Sequence, residues 1–138
     1  MLIRGFREGI RVLVEALAFV DKTGVRYYEA ELYRLKGELT LQQLKINNAK
    51  LKITETQDLT ASSQEVEGYF LKAIEIAQRQ QAKSLELRAA TSLARLWHQQ
   101  GRQQEAHAVL SDIYNWFTEG FDTKDLQEAK ALIEELGH

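Results

Sequence analysis

Three stretches of this chain repeat one apolar spacing. Gly9, Leu13 and Ala16, then Val66, Phe70 and Ala73, then Ala106, Leu110 and Ile113 each set a small or apolar residue first, a large apolar one four positions on, and a third three later. Val66 and Ala106 lie 40 positions apart, while Gly9 and Val66 lie 57 apart, one such period plus 17 residues. Spacings of four and three return to the same side of a helix, so each copy is one helical stripe. A fixed period of this size marks a stacked helical array, in which each unit buries its stripe on its neighbours. Arrays of this kind point to binding rather than catalysis.

Composition agrees with uninterrupted helices. Proline, which breaks helix interiors, is absent from all 138 residues. Apolar residues make up 44% of the chain, too many for intrinsic disorder. Net charge is −2, so no basic surplus argues for nucleic acid. Cysteine is absent, which removes disulfides and thiolate chemistry and suits a cytoplasmic chain. No apolar run approaches the roughly 18 residues that span a bilayer. The apolar stretch from Ile10 to Val20 is interrupted by Arg11 and Glu15 and reads as a buried helix.

The periodicity predicts one all-α domain over residues 1–138, with six helices. The first runs from about Ile3 to Val20. The second covers about Arg26 to Leu44, with Tyr28, Leu32, Leu35 and Leu39 on one face. Lys45 to Ala61 is polar, with neither helical nor strand periodicity, and is expected to form an inserted loop. Ser62-Ser63-Gln64-Glu65 fits a capping box that opens the third helix, which runs to about Gln80 and buries Val66, Phe70, Ala73 and Ala77. The fourth, from about Ser84 to Gln100, carries the stripe Ala90, Leu93, Ala94 and Trp97 and ends at Gly101. The fifth, about Arg102 to Phe117, buries Ala106, Val109, Leu110, Ile113 and Phe117. The last begins near Asp122 or Thr123 and carries Leu126, Ala129, Leu132, Ile133 and Leu136.

The fourth and fifth helices resemble a tetratricopeptide repeat, with Ala90, Leu93-Ala94, Trp97, Gly101, Ala106, Leu110 and Ile113 filling its places in order. Ala90 stands where a tryptophan-like residue is usual, and Ile113 where a small one is. In the second and third helices Leu32, Leu35, Leu39, Val66, Phe70 and Ala73 match, but Lys36 departs from the small residue after the leucine. The period of 40 exceeds the roughly 34 usual in that family, so the chain resembles its longer, divergent members. Three stretches are similar to the C-terminal helical-repeat region of large bacterial signalling proteins, which join a nucleotide cyclase or other output domain to a predicted ATPase. They are Tyr27 to Leu39, Ala82 to Trp97 and Trp116 to Thr123. The resemblance implies antiparallel helix pairs stacked in a short right-handed solenoid. It also implies that the chain is the end of such an array without the upstream domains.

No sequence pattern points to chemistry. Glycine followed, after four intervening residues, by Gly-Lys-Ser/Thr does not occur, so there is no phosphate-binding loop. His98, His107 and His138 are the only histidines, without a His-x-x-x-His pair, so neither metal nor cofactor is expected. Glu29, Glu31 and Glu38, and likewise Glu134-Glu135, read as solvated helix faces. Gly37 reads as a site of close helix packing, since an unforced glycine costs helix stability. Arg88, Thr91, Arg95 and His98, at spacings of three, four and three, share a helix face offset from the buried stripe. In the repeat pattern this face lines the concave groove. There two arginines can fork onto a carboxylate or phosphate, with Tyr33 on the equivalent face of the preceding repeat. The competing reading is internal pairing with Glu31, Glu38 or Glu65.

The functional expectation is a non-enzymatic module that binds a peptide or protein partner. The alternative is a regulatory or oligomerisation segment of a larger signalling ATPase or cyclase. Membrane partners are not expected. The first helix matches the second member of a pair whose first is missing. It exposes Phe6, Ile10, Leu13, Val14 and Leu17, a face too broad for one neighbour, and is therefore expected to form a two-fold homodimer.

Overall fold

The computed structural model describes residues 9–12, 14–15, 28–50 and 56–137. Among the described residues there is no strand; every element is a helix. In chain order they are α1 (residues 9–12 and 14–15), α2 (Glu29–Lys50), α3 (Thr56–Arg79), α4 (Lys83–Gln99), α5 (Gln103–Tyr114) and α6 (Lys124–Leu136). Each of α2 to α5 packs on the next helix, and α4 also touches α2 and α6. Thus α4 sits at the centre, which explains why nine of its residues are buried.

The turns on either side of α4 share one geometry. At the end of α4 the Gly101 amide donates to the His98 carbonyl at 3.1 Å and the Arg102 amide to Trp97 at 2.8 Å. These two bonds form a Schellman motif, which requires a left-handed residue at its turn. Gly101 supplies it with φ +79. The end of α3 repeats the pattern, with Gln81 donating to Gln78 at 3.1 Å and Ala82 to Ala77 at 2.9 Å. Here the left-handed position is taken by Gln81, φ 56, a side chain where glycine is favoured.

The core follows the predicted stripes from α3 onward. Val66, Phe70, Ala73, Leu93, Ala94, Ala106, Leu110, Ala129 and Leu136 belong to one buried cluster. Fully burying a side chain such as Phe70 contributes about 1.5–3 kcal/mol relative to leaving it in water. The contact between α2 and α3 closes on a glycine. A Cβ placed on Gly37 would lie 2.6 Å from Cε1 of Phe70, so the ring rests against bare backbone.

A polar clamp joins α3, α4 and α5. Trp97 Nε1 donates to Glu67 Oε1. Arg102 Nη1 donates to the same oxygen at 2.6 Å, and the Arg102 guanidinium lies 4.4 Å from the centre of the Trp97 ring. Hydrogen bonds to Glu105 and Glu67 hold Arg102 well above its ordinary pKa.

Two expectations are corrected. The loop expected at 45–61 is helical at both ends: α2 continues to Lys50 and α3 begins at Thr56, while residues 51–55 lie outside the described residues. No glycine or proline occurs between Gly37 and Gly68. A formed helix extends by one hydrogen bond for each residue it fixes, so α2 runs on where nothing ends it. Ser62 accordingly lies inside α3 and not at its cap.

The buried face of α2 also differs. Among its described side chains Ala30 and Gly37 are the buried positions, with Tyr33, Leu41 and Leu44 packed against the core. Tyr28 is 61% exposed. Leu39, on the expected stripe, instead meets α1, where a Cβ on Gly9 would sit 3.3 Å from a Leu39 methyl. The helix is apolar on two sides because it has neighbours on two sides.

Candidate functional site

The helices α2, α4 and α6 meet along a polar groove of about 320 Å³, lined by Arg34, Arg88, Thr91, Ser92, Arg95, Lys124, Asp125 and Glu128. Arg88 and Arg95 are two helical turns apart on α4, about 10 Å along its axis. Arg34 reaches in from α2. Lys124, Asp125 and Glu128 come from the first turns of α6. Four cationic side chains and two carboxylates therefore converge on one cavity.

Each arginine there has a carboxylate partner. Arg88 Nε donates to Asp125 Oδ2 at 2.8 Å, and its Nη1 reaches Glu31 Oε1 at 3.5 Å. The Asp125 bond is the largest cause of the raised pKa of Arg88. Arg95 Nη2 lies 3.4 Å from Glu128 Oε2. Arg34 forks onto Glu31 at 2.6 and 3.0 Å and reaches the buried Ser92 hydroxyl at 3.4 Å. Further along the α4–α6 seam, His98 Nε2 stands 3.6 Å from Glu135 Oε1. Three cationic or protonatable positions on α4 thus face three acidic positions on α6.

The sequence-derived site residues separate into two groups. Arg88, Thr91 and Arg95 line the groove together. Thr91 is buried, and its hydroxyl donates to the Leu87 carbonyl at 2.8 Å, which occupies its donor. His98 lies on the seam beyond the groove wall, and Tyr33 packs against the core clusters. Of the internal partners considered from sequence, Glu31 pairs with Arg88 and Arg34. Glu38 lies 3.9 Å from Arg34, and Glu65 accepts from the Tyr69 hydroxyl at 2.8 Å on another face.

Arg34, Ser92, Lys124, Asp125 and Glu128 were missed. A signal for the last two exists, since Asp125, Glu128 and Glu135 share one side of α6 just as Arg88, Arg95 and His98 share one side of α4. Recognising their match requires knowing that the two helices touch.

The expected dimer face is only partly visible. Phe6, Leu13 and Leu17 lie outside the described residues. Ile10 is half-buried, while Val12 and Val14 are 55% and 46% exposed. Among the described residues, no group of three His, Asp or Glu side chains is placed to hold a metal ion, and no helix is long and apolar enough to cross a membrane. No family model, curated protein or solved structure matches the chain.

Proposed function

We propose that this chain is a non-enzymatic protein–protein interaction module of the tetratricopeptide-like kind, with antiparallel helix pairs stacked in a short right-handed solenoid. It takes a peptide or protein segment along the groove of α2, α4 and α6. The observation that carries the reading is the convergence of Arg34, Arg88, Arg95 and Lys124 on an open cavity between three successive alternate helices. Arg88 and Arg95 are half-exposed and already paired, so a partner binds by exchange. A partner's carboxylates and carbonyls take the guanidinium donors that Asp125 and Glu128 now hold. Exchange costs little where the existing pairs are exposed and weak. The reading includes no catalytic step, no bound nucleotide and a cytoplasmic setting.

The test is selection of binding peptides from a random library, followed by titration against Arg88→Ala and Arg95→Ala. Selected peptides should lose about tenfold or more in affinity to the paired variant, as expected for lost charge-assisted bonds. An empty selection, or peptides that bind the variant as well as the parent, overturns the proposal.

One observation favours a second reading, a regulatory assembly element of a larger signalling ATPase or cyclase that pairs through α1. Val12 and Val14 both stand exposed on a short described stretch of that helix. Sedimentation at tens of micromolar distinguishes the readings. A two-fold dimer that Val14→Glu dissociates supports the assembly element, and a stable monomer removes it.

A further inference from the structure

On the side of α4 away from the groove, the chain forms a second, smaller cavity of about 200 Å³ between α3, α4 and α5. Its apolar lining comes from Ile74, Val109 and Ile113. Trp116, just past α5, also lines it and is 57% exposed. Glu86, from the first turn of α4, brings a carboxylate to the same cavity although the residue is only 8% exposed. The contacts of that carboxylate are long. Gln78 Nε2 stands 3.4 Å from one oxygen and Lys83 Nζ 3.5 Å from the other, against about 2.7–2.9 Å for a well-made charge-assisted bond. Lys83 also lies 5.5 Å from the centre of the Trp116 ring. With Asp112 on the lining as well, the cavity carries two carboxylates to one ammonium.

We propose that this slot receives one arginine side chain of a partner protein, with its stem on Ile74, Val109 and Ile113 and its guanidinium between Trp116 and Glu86. The size argues for a side chain, since pockets for whole small molecules are about 300–1,000 Å³. The lining argues for an amphipathic cation, which needs an apolar trough, an aromatic face and an anion. A guanidinium is favoured over an ammonium because it stacks flat on an indole and forks onto a carboxylate. The chain makes the same arrangement from its own residues elsewhere: Arg102 stacks on Trp97 at 4.4 Å while bonding Glu67 at 2.6 Å. At Trp116 the internal cation is Lys83, which meets neither group closely and leaves the slot open. Lys83 therefore acts as a weak internal competitor. This site is independent of the groove of α2, α4 and α6.

The probe is N-acetyl-arginine methylamide, followed in proton–nitrogen correlation spectra. The chain has two tryptophans, so its indole N–H signals report both places. The Trp116 signal should shift saturably while that of Trp97 stays in place. The neutral citrulline amide should bind about tenfold more weakly, having lost its charge-assisted bonds. Lys83→Ala should tighten binding, and Glu86→Gln, with helicity retained by circular dichroism, should weaken it about as much as the citrulline change. An unmoved Trp116 signal, equal shifts with citrulline amide, weaker binding in Lys83→Ala or undiminished binding in a folded Glu86→Gln overturns the proposal. Should Glu86→Gln not fold, the citrulline and Lys83→Ala comparisons decide the matter alone.

Discussion

The Phe70 ring rests on Gly37 so closely that a Cβ there would fall 2.6 Å from Cε1 and 2.8 Å from Cδ1. Phe70 is fully buried in the core cluster, so a shift of the ring must displace its neighbours. Gly37→Ala should therefore destabilise the fold by about 1–3 kcal/mol, the usual range for overpacking, even though alanine is the better helix former. Urea unfolding measures this. In a Phe70→Leu background the same change should cost less, because the two residues are in contact and their effects couple. A Gly37→Ala variant as stable as the parent would show that α2 and α3 are not this close.

Gln81 holds a left-handed conformation that its Cβ disfavours, at a turn whose α4 counterpart uses Gly101. Gln81→Gly should raise stability by about 0.5–1 kcal/mol: the relief of left-handed strain outweighs the added freedom of the unfolded chain. Thermal unfolding checks the sign. A lowered melting temperature would mean that the Gln81 side chain makes contacts worth more than the strain.

The Arg88–Asp125 bond is short at 2.8 Å, yet the Arg88 side chain is 44% exposed. Solvent screening limits such a pair to about 0.2–1 kcal/mol. A double-mutant cycle with Arg88→Ala and Asp125→Ala should return a coupling in that range at low salt, shrinking in about 1 M salt, where the screening length is near 3 Å. A coupling that salt leaves unchanged would argue for a more secluded pair than the structure has.

Burial, and next the hydrogen bond to Glu65, push the Tyr69 hydroxyl from its ordinary 10.0 up to about 12. Since the folded value lies above the unfolded one, the unfolded chain loses its proton first as pH rises. The stability this phenol contributes is thus complete below pH 10 and is lost as pH climbs towards about 12. The stability difference between the parent and Tyr69→Phe should be flat up to pH 10 and fall beyond it. Difference absorbance of phenolate should place the Tyr69 midpoint near the upper value. A midpoint at the ordinary value would remove the effect.

What the sequence determined by itself was local. The absence of proline, the stripes on Val66, Leu93, Ala106 and Leu126, and the turn at Gly101 were enough to place the bodies of α3 to α6 and one buried stripe on each, although α5 ends at Tyr114 and leaves Phe117 half-buried beyond it. One stripe is a periodicity that a linear reading can find, but α4, packed against α2, α3, α5 and α6, also buries Ala89 and Leu96 beyond its expected stripe. The same reading went wrong at α2, where Leu32, Leu35 and Leu39 make one stripe and Ala30, Tyr33, Gly37 and Leu41 another. A helix with neighbours on both sides has two apolar faces, and periodicity does not say which one meets the core. It also missed the extensions of α2 to Lys50 and of α3 back to Thr56, because the polar residues there carry no stripe and no breaker marks an end. What Arg88 and Arg95 face depends on how α4 packs against α6. Their partners Asp125 and Glu128 lie more than 30 positions away on α6, and the distance between charges across two helices is set by how the helices pack, which no spacing within one helix contains.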